Sequence, residues 1–421
     1  MVEVWLPYGR TEVCARIPTG NLLAVIEPKT REGALNPQAE IENALMTPLG
    51  VKPLVDVARP GVKVSIVLQD CDPSTNNIAV SAVLKQLSLA GVKDEDVSVI
   101  VAYDPFRVYS TVEGKPLLDE FLSARVSLVR HDCEKSEHAH IGKTSQSTDV
   151  YLNKSFAEAK VKILVGVVEP HSCAGYSGGR EAVLPGISSK ETIEHTLSLG
   201  LNPKAGRGSL EGNPVHEDMV EAAHLADVDF ALNVVRNNRL EIVKAFAGGL
   251  DEAFHGSVKL AEEMYKVPVE SRADIVFVSP GGYPFDVSFF EASKCIDGAL
   301  ETIKKGKVIV LVAECMGGYG NKEFSSAISR FKDARALEKA LTKHFTVGGF
   351  IAYHFMMALQ SAEMALVSVM PDYFVPEYLK MKTTRTANEA IDYAYQSVGS
   401  NGKVSVIPYG NLTIPFISVA E

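Results

Sequence analysis

The sequence lacks the features that mark several classes of protein. Its 42 lysines and arginines are outnumbered by 52 aspartates and glutamates, so the net charge is −10 and the basic surface typical of nucleic-acid-binding proteins is missing. Six cysteines without a C-x-x-C pair argue against a disulfide framework and favour reduced thiols in the cytoplasm. No basic segment leads into an apolar one at the N-terminus, so we expect no secretion signal.

Long hydrophobic runs are also few. The most apolar stretch, residues 350–370, contains His354, Gln360 and Glu363, which would be costly in hydrocarbon, so it predicts a core helix and no membrane span. With 46% apolar and 22% charged residues, the composition is that of a folded globular protein. A chain of 421 residues exceeds one hydrophobic core, so we expect at least two domains and a ligand cleft between them.

Buried strands alternate with helices along most of the chain. The apolar run Val62–Leu68 is followed by a polar turn and by helical periodicity over Ile78–Ala90, and this pattern predicts a parallel sheet covered on both faces. The same unit recurs in three later segments, which begin at Val97, Val126 and Val161.

The second half of the chain repeats this rhythm after a boundary near residue 270. Three short strands over residues 2–26 are expected to form a hairpin-like start to the first domain. The sequence therefore predicts an α/β protein with two α/β domains, residues 1–270 and 271–421, mostly parallel sheets and an interdomain cleft. In such sheets ligands bind beyond the carboxyl ends of the strands.

The most informative segment is the glycine loop, residues 169–180, which follows a buried strand. Glycine lets backbone amides converge on an anion, so the loop is a candidate phosphate-binding loop, although it matches neither a Walker loop nor a dinucleotide fingerprint. A structural turn is the alternative, and local composition alone slightly favours it. The candidate cofactor-binding residues are Gly175, Tyr176, Ser177, Gly178, Gly179 and Arg180.

Histidines are the next candidates. His171, at the mouth of the glycine loop, is available for proton transfer near neutral pH, and the alternative is a histidine bonded to the loop backbone. His138 and His140 lie in a charged stretch without zinc spacing, so we expect a solvated loop there. His216 does not begin an H-E-x-x-H motif, because the fifth residue is Val220.

Glu291 and Lys294 are three residues apart in the second half of the chain. On a helix this spacing places both on one face, which we expect to turn toward the interdomain cleft. The alternative is a surface ion pair of little energetic weight.

Six further motifs stand out along the chain: Leu6–Gly9, Pro170–Gly186, Leu210–Glu217, Glu241–Gly248, Ser279–Asp286 and Ala313–Gly320. In order and spacing they resemble the nickel-dependent lactate racemase family, and the likeness runs from the first strand to Pro408. The resemblance implies two α/β domains that hold a nickel pincer nucleotide. It also implies that hydride passes from Cα of a 2-hydroxy acid to the cofactor while a histidine removes the hydroxyl proton.

Three residues match catalytic positions of that family. His171 falls on one of its two catalytic histidines, and Lys294 falls on the lysine near the substrate. Arg107 matches the arginine after the second histidine, whose own position is taken by Phe106. Tyr103 or Asp104 would have to replace the missing base.

Other family positions differ. Glu181 stands where the family has the lysine that tethers the nucleotide, so the cofactor would bind without a covalent link. Leu197 stands at the nickel-ligand histidine, which leaves His195 as the nearby candidate metal ligand, although two residues along a helix turn a side chain by about 200°.

Acidic residues stand where the family has groups that help to bind the carboxylate of the substrate. Asp70 and Asp72 lie where the family has an acidic-threonine-arginine motif, and Glu291 replaces a glutamine. These charges would repel a simple monocarboxylate, so a substrate with hydroxyls or positive charge is expected. Asp70 is a candidate catalytic residue, and Asp72, Tyr103 and Glu291 are candidate substrate contacts.

The resemblance therefore predicts a racemase or epimerase of a 2-hydroxy acid other than lactate, with a nickel pincer nucleotide as cofactor. One alternative is a paralogue that binds a mononucleotide or small anion without nickel or racemase activity. Another is a metal-free lyase or isomerase that uses His171 and Lys294. The expected partner is a small hydroxy acid, with no nucleic acid and no membrane, and a homo-oligomer stays open.

Overall fold

The computed structural model describes residues 1–107 and 118–418, and it confirms an α/β protein with mostly parallel sheets. The chain forms two compact units. The central unit comprises residues 30–105 and 109–263, and the terminal unit comprises residues 1–29, 106–108 and 264–421.

Strands occur along the whole described chain. In chain order they are β1 (Val2–Tyr8), β2 (Thr11–Ile17), β3 (Leu22–Val25), β4 (Val64–Leu68), β5 (Val97–Val101), β6 (Ser127–Arg130), β7 (His138–Lys143), β8 (Asp149–Asn153), β9 (Val161–Val167), β10 (Pro170–His171), β11 (Gly175–Tyr176), β12 (Phe230–Arg236), β13 (Ile242–Gly248), β14 (Lys266–Val269), β15 (Ala273–Val278), β16 (Ile303–Val312), β17 (Glu363–Val367), β18 (Lys382–Thr384), β19 (Val404–Ile407) and β20 (Ile414–Ile417).

Helices connect most of these strands. They are α1 (Pro37–Met46), α2 (Leu54–Val57), α3 (Pro73–Leu89), α4 (Glu120–Arg125), α5 (Lys154–Ala157), α6 (Lys190–Ser198), α7 (Pro214–Leu225), α8 (Leu250–Tyr265), α9 (Phe289–Ala292), α10 (Ile296–Thr302), α11 (Lys322–Arg330), α12 (Ala334–Leu341), α13 (Val347–Ser361) and α14 (Ala387–Val398). Short 3₁₀ turns cover Asp94–Asp96, Gly179–Ala182, Leu199–Leu201 and Ser293–Cys295, and a π-helical turn covers Val375–Leu379.

The central unit is built on a six-stranded sheet in the order β13-β12-β9-β4-β5-β6. All neighbouring pairs are parallel except β12 with β13. The central strands are buried on both faces, as β4 shows, where every residue of Val64–Leu68 is buried. Continuous apolar runs of this kind are what parallel sheets require, because helices cover both sides.

The terminal unit contains a second six-stranded sheet, in the order β18-β17-β16-β15-β19-β3, and all its pairs are parallel. The N-terminal strands belong here, which corrects their assignment to the first domain. β3 pairs with β19, and the β1–β2 hairpin buries Leu6 and Ile17 in the same core as Phe277. The periodicity of a short segment predicts that it is a strand, but it does not predict which sheet the strand joins.

Two further expectations need correction. The stretch with His138 and His140 is not a solvated loop, because β7 pairs antiparallel with β8 there. The apolar segment 350–370 is not one helix, since α13 ends at Ser361 and β17 begins at Glu363. Within residues 1–107 and 118–418, no helix combines the length and apolar character needed to cross a membrane.

Candidate functional site

Chemically versatile side chains gather where three parallel strands of the central unit end. β4 ends at Leu68, β9 at Val167 and β12 at Arg236, and these strands are neighbours in the sheet. The segments that follow them carry Gln69 to Asp72 and Glu169 to Arg180. This edge of the sheet is where the sequence predicts the site.

The glycine loop folds back on itself as a two-residue ladder, with Pro170 opposite Tyr176 and His171 opposite Gly175. Gly175 has a φ of +81°, and a Cβ there would lie 2.2 Å from the carbonyl oxygen of Ser209. Only glycine fits this backbone conformation and this approach. The turn places His171 at a fixed position beyond β9.

The amides of the loop donate to protein oxygens. The amide of Ser177 donates to the Glu169 carbonyl at 2.8 Å, and the amide of Gly179 donates to Asn233 Oδ1 at 2.9 Å. The amide of Gly178 donates to Glu181 Oε2 at 2.9 Å. These contacts support a structural role for the loop, and its assignment to a cofactor phosphate stays a prediction.

The buried side chain of Arg180 holds the glycine loop together by hydrogen bonds to its carbonyls. Its side chain is 1% exposed, its Nε donates to His216 Nδ1 at 3.1 Å, and the guanidinium lies 4.1 Å from the centre of the Phe254 ring. The terminal nitrogens donate to four backbone carbonyls, those of Ala174, Tyr176, Ser177 and Gly178. In this arrangement Arg180 organises the loop and does not point at a phosphate.

His171 is fixed by the backbone of its own loop. Its Nδ1 accepts from the amides of Cys173, at 3.3 Å, and Ala174, at 3.0 Å. A ring nitrogen that accepts two N–H groups carries no hydrogen, so the neutral ring is protonated on Nε2. Nε2 lies 3.7 Å from Glu181 Oε1, and both side chains are largely buried.

Glu181 is therefore the carboxylate partner of His171. Its other oxygen, Oε2, accepts from the amide of Gly178 at 2.9 Å and from Gln69 Nε2 at 3.3 Å. Two donors on one oxygen fix the carboxylate and leave Oε1 turned to the imidazole. At 3.7 Å the carboxylate lies beside the imidazole without a hydrogen bond, and a carboxylate next to a histidine is a common element of acid–base sites.

Gln69 anchors the carboxylate to the sheet, a role that the sequence did not reveal. Its Oε1 accepts from the amide of Val167 at 2.8 Å. The side chain passes over Gly166, where a Cβ would lie 2.8 Å from Gln69 Oε1. The signal available in the sequence was this glycine inside an otherwise apolar strand.

A buried ion-pair cluster lies at the same edge. Arg236, which is 2% exposed, contacts Asp72 through Nη1 and Glu169 Oε1 through Nη2 at 2.5 Å. Burial lowers the pKa of Arg236, but the charges of Glu169 and Asp72 outweigh it and raise the pKa above its usual value. Asp72 also caps α3 by accepting from the amide of Thr75 at 2.9 Å. Sequence reasoning missed Arg236, whose signal is an arginine that ends a fully buried strand.

The remaining candidates of the central unit are placed by backbone and ion-pair contacts. Asp70 Oδ2 accepts from Arg130 Nη1 at 3.0 Å. The amide of Tyr103 donates to the Gly186 carbonyl at 2.7 Å, which attaches the segment after β5 to the segment after the glycine loop. The catalytic role of Asp70 and the substrate contacts of Asp72 and Tyr103 stay predictions.

The candidate metal ligand lies on the solvent side of α6. His195 is exposed and its Nε2 lies 3.2 Å from the Gln146 carbonyl, whereas Leu197 is 1% exposed in the core. The two side chains are on different faces, as helical geometry requires. In the part of the chain that the structure describes, no cluster of three or more His, Cys, Asp or Glu side chains could hold a metal ion.

In the terminal unit, Lys294 and Glu291 have separate contacts. Lys294 Nζ donates to the carbonyl of Phe106 at 2.8 Å. Glu291, which is 6% exposed, accepts from the hydroxyl of Ser288. The structure thus brings the predicted lysine to the segment of Phe106 and Arg107. Their catalytic and substrate roles stay predictions.

Asp286 joins three sequence motifs of the terminal unit. Its Oδ2 accepts from the amides of Gly9, at 2.6 Å, and Glu314, at 3.1 Å. Burial raises the pKa of Asp286 above its usual value, although both amide bonds oppose this. The motifs that begin at Leu6, Ser279 and Ala313 therefore meet at one carboxyl group.

Comparisons with known proteins cover nearly the whole chain. Family models described as the lactate racemase N-terminal domain and the lactate racemase C-terminal domain match residues 8–208 and 269–414. The lactate racemase of Thermoanaerobacterium thermosaccharolyticum is 30% identical over 420 residues, which cover 97% of this chain and 98% of that protein. The lactate racemase of Lactiplantibacillus plantarum is also 30% identical, with 97% and 99% covered.

Solved structures agree with these matches. The structure of the lactate racemase apoprotein from T. thermosaccharolyticum superimposes with a TM-score of 0.88 at 28% identity, covering 98% of this chain and 100% of that one. A protein from Thermotoga maritima, at 15% identity and a TM-score of 0.68, covers 92% of this chain and 100% of its own, and it shows a similar fold alone.

Proposed function

The chain belongs to the lactate racemase family and is an isomerase of the racemase class, and we propose that its substrate is a 2-hydroxy acid other than lactate. The observation that carries the proposal is the pair formed by His171 and Glu181 at the carboxyl end of β9. The resemblance puts a catalytic histidine at residue 171, and the contacts around it hold that ring in one orientation.

Racemisation of a 2-hydroxy acid needs a group that handles the hydroxyl proton. The Nε2–H of His171 can donate to the substrate oxygen when that oxygen is a ketone. Protonation of Nδ1 would break both amide bonds, so Glu181 is the proton acceptor of the pair when the oxygen is a hydroxyl. Glu181 returns the same proton to that oxygen when the hydroxyl forms again, and His171 donates only a hydrogen bond in between. We therefore place proton transfer on the pair instead of on the imidazole alone.

The charges of this edge support a substrate different from lactate. Asp72, Glu169 and Glu181 carry three negative charges against the two positive charges of Arg236 and Arg180, which leaves one net negative charge. Asp70 is paired with Arg130. A bare monocarboxylate would be repelled, whereas a hydroxy acid with further hydroxyls or a positive charge would be tolerated.

The donor set does not fit the nickel pincer nucleotide in the form that the family resemblance implies. Glu181, in place of the tethering lysine, is occupied by Gly178, Gln69 and His171. Leu197 offers no nickel ligand, and His195 faces solvent. A pincer nucleotide bound without a covalent link thus rests on the resemblance, and we derive no step through it.

Glu181 and Leu197, which replace the tether and the nickel ligand, favour a second candidate function. A family member that binds a mononucleotide or small anion without nickel would retain the glycine loop and lose the tether and the nickel ligand. Native mass spectrometry with metal analysis, on protein from cells that make the pincer nucleotide, separates the candidates. Nickel with the mass of the cofactor supports the first, and an organic phosphate without nickel supports the second.

A chiral assay tests the proposed reaction. Single enantiomers of 2-hydroxy acids that carry an additional hydroxyl or an amine are incubated with the protein from those cells, with lactate as the comparison. We expect the opposite configuration to appear for at least one acid of the panel and at most slowly for lactate. Racemisation of lactate alone would show that the substrate proposal is wrong.

A further inference from the structure

A cavity of about 200 Å³ lies behind the glycine loop, within the central unit. Its walls come from the 3₁₀ turn at Gly179–Ala182 and from α7 and α8. Sites for drug-sized ligands occupy roughly 300–1,000 Å³, so this cavity suits a smaller molecule. Its lining includes Arg180, His216, Val220, Leu250, Phe254 and His255.

The cavity lies against the buried guanidinium of Arg180, which forms no salt bridge among the described residues, although the charge of Glu181 partly stabilises it. All five N–H groups of Arg180 donate to neutral acceptors, four of them backbone carbonyls. Among residues 1–107 and 118–418, no carboxylate lies within ion-pair distance of this guanidinium. Burial lowers the pKa of Arg180 to about 10, so the group stays charged at neutral pH. A buried charge without a counter-ion is costly, and an anion beside it would offset that cost.

His216 supplies a directed donor. Its Nδ1 accepts from Arg180 Nε, so the neutral ring carries its hydrogen on Nε2. Burial, followed by the charges of Arg180 and His255, lowers the pKa of His216 to about 3, so the ring stays neutral over the usual pH range. No residue in the described part of the chain accepts the Nε2 hydrogen. A bound carboxylate oxygen would accept it.

The other walls define the rest of the ligand. Val220, Leu250 and Phe254 are apolar and favour an apolar body. Asp251, at the rim, pairs with His224 at 3.0 Å, and its charge disfavours a dianion such as phosphate. We propose that this cavity binds a small monocarboxylate with an apolar body, at a site separate from His171.

A ligand there would contact the guanidinium that holds the glycine loop. The proposal does not rest on the proposed function, because benzoate, the probe chosen here, has no 2-hydroxyl group and cannot be a substrate of that reaction. Benzamide has almost the same shape without the charge, so it serves as the matched neutral compound.

Isothermal titration calorimetry tests the site on the full chain. We expect benzoate to bind with a Kd of about 1 mM or tighter and benzamide to bind at least tenfold more weakly. His216→Ala should weaken benzoate binding at least tenfold, and His140→Ala, a change of an exposed histidine elsewhere in the unit, should leave it unchanged.

A cavity-filling variant keeps the test valid if His216→Ala fails to fold. Val220→Trp keeps every residue that bonds to Arg180 and adds bulk to the wall of the cavity, so it should abolish benzoate binding. Benzoate binding that survives Val220→Trp, equal affinity for benzamide, or displacement of benzoate by inorganic phosphate would each overturn the proposal, as would no binding to the unmodified protein.

Discussion

At the scale of single residues, the chemistry of the site depends on which nitrogen of His171 carries the hydrogen. Two backbone amides occupy Nδ1, and Glu181 lies beside Nε2. In the proposed reaction the imidazole is therefore a hydrogen-bond donor toward the substrate, and Glu181 accepts the hydroxyl proton. A site in which a histidine and a carboxylate share the proton transfer differs from one in which two histidines act as bases.

Glu181→Gln tests this sharing of the proton transfer. The amide keeps the shape of the side chain but cannot accept a proton, so we expect kcat to fall about a hundredfold with little change in KM, within the range of acid–base catalysis. Racemisation rates across a pH series provide the measurement. Glu211→Gln, which changes an exposed carboxylate of the same unit, is the control and should retain full activity. Equal activity of both variants would rule out Glu181 as the acceptor.

The sequence revealed some of these residues and concealed others. His171 was visible because it follows a buried strand and opens a glycine-rich turn. Glu181 read only as a departure from a family pattern and Gln69 was not singled out, since their mutual contact joins positions that are 112 residues apart. The resemblance predicts that Asp72 is a substrate contact, whereas its bonds to Arg236 and to the start of α3 appear only in three dimensions.

At the scale of elements, the glycine loop and the ends of three strands form the framework of the site. The loop keeps its shape through positive φ angles and through carbonyls gathered around one guanidinium. The strand ends contribute the charged groups. Alternating strands and helices were predictable from periodicity, whereas the pairing of β3 with β19 was not, because it depends on which hydrophobic core the strand completes.

Gly175→Ala should disrupt the loop. The added Cβ would meet the Ser209 carbonyl oxygen at 2.2 Å in a backbone conformation with a φ of +81°. We expect a loss of about 1–3 kcal/mol in the free energy of unfolding, measured by urea denaturation. Gly206→Ala is the matched control, because a Cβ there meets nothing within 4 Å. A Gly175→Ala protein as stable as the control would contradict the described loop.

Arg236→Met tests the ion-pair cluster at the strand ends. The change leaves Asp72 and Glu169 close together without their cation, so we expect unfolding to become easier by about 3–5 kcal/mol. Arg239→Met removes an exposed partner of Glu241 and should cost less than about 1 kcal/mol. Similar losses for the two variants in urea denaturation would show that the cluster does not contribute as described.

At the scale of the whole molecule, the fold is that of the lactate racemase family, while the resemblance implies that several chemical positions have changed. The scaffold is retained over 98% of the chain, as the TM-score of 0.88 shows. The changed positions include Phe106, Glu181 and Leu197. Chain length predicted more than one core. The sequence pattern predicted an α/β protein. It could not predict which polar side chains meet, because those contacts join distant segments.

The acid stability of the molecule should depend on His216. Its pKa falls to about 3 in the folded protein from 6.5, so between these values the unfolded chain binds a proton that the folded chain does not. The free energy of unfolding should therefore fall as the pH is lowered from 6.5 toward 3. His216→Gln keeps an acceptor for Arg180 but cannot titrate, so the slope of stability against pH should be smaller. An unchanged slope would contradict this assignment.

The most direct test of the account is a time course of optical purity for the preferred 2-hydroxy acid, followed by chiral chromatography with the unmodified protein and with His171→Ala. The account predicts complete racemisation by the first and none above background by the second, with the same melting temperature for both. Racemisation at equal rates would contradict the assignment of the site to His171.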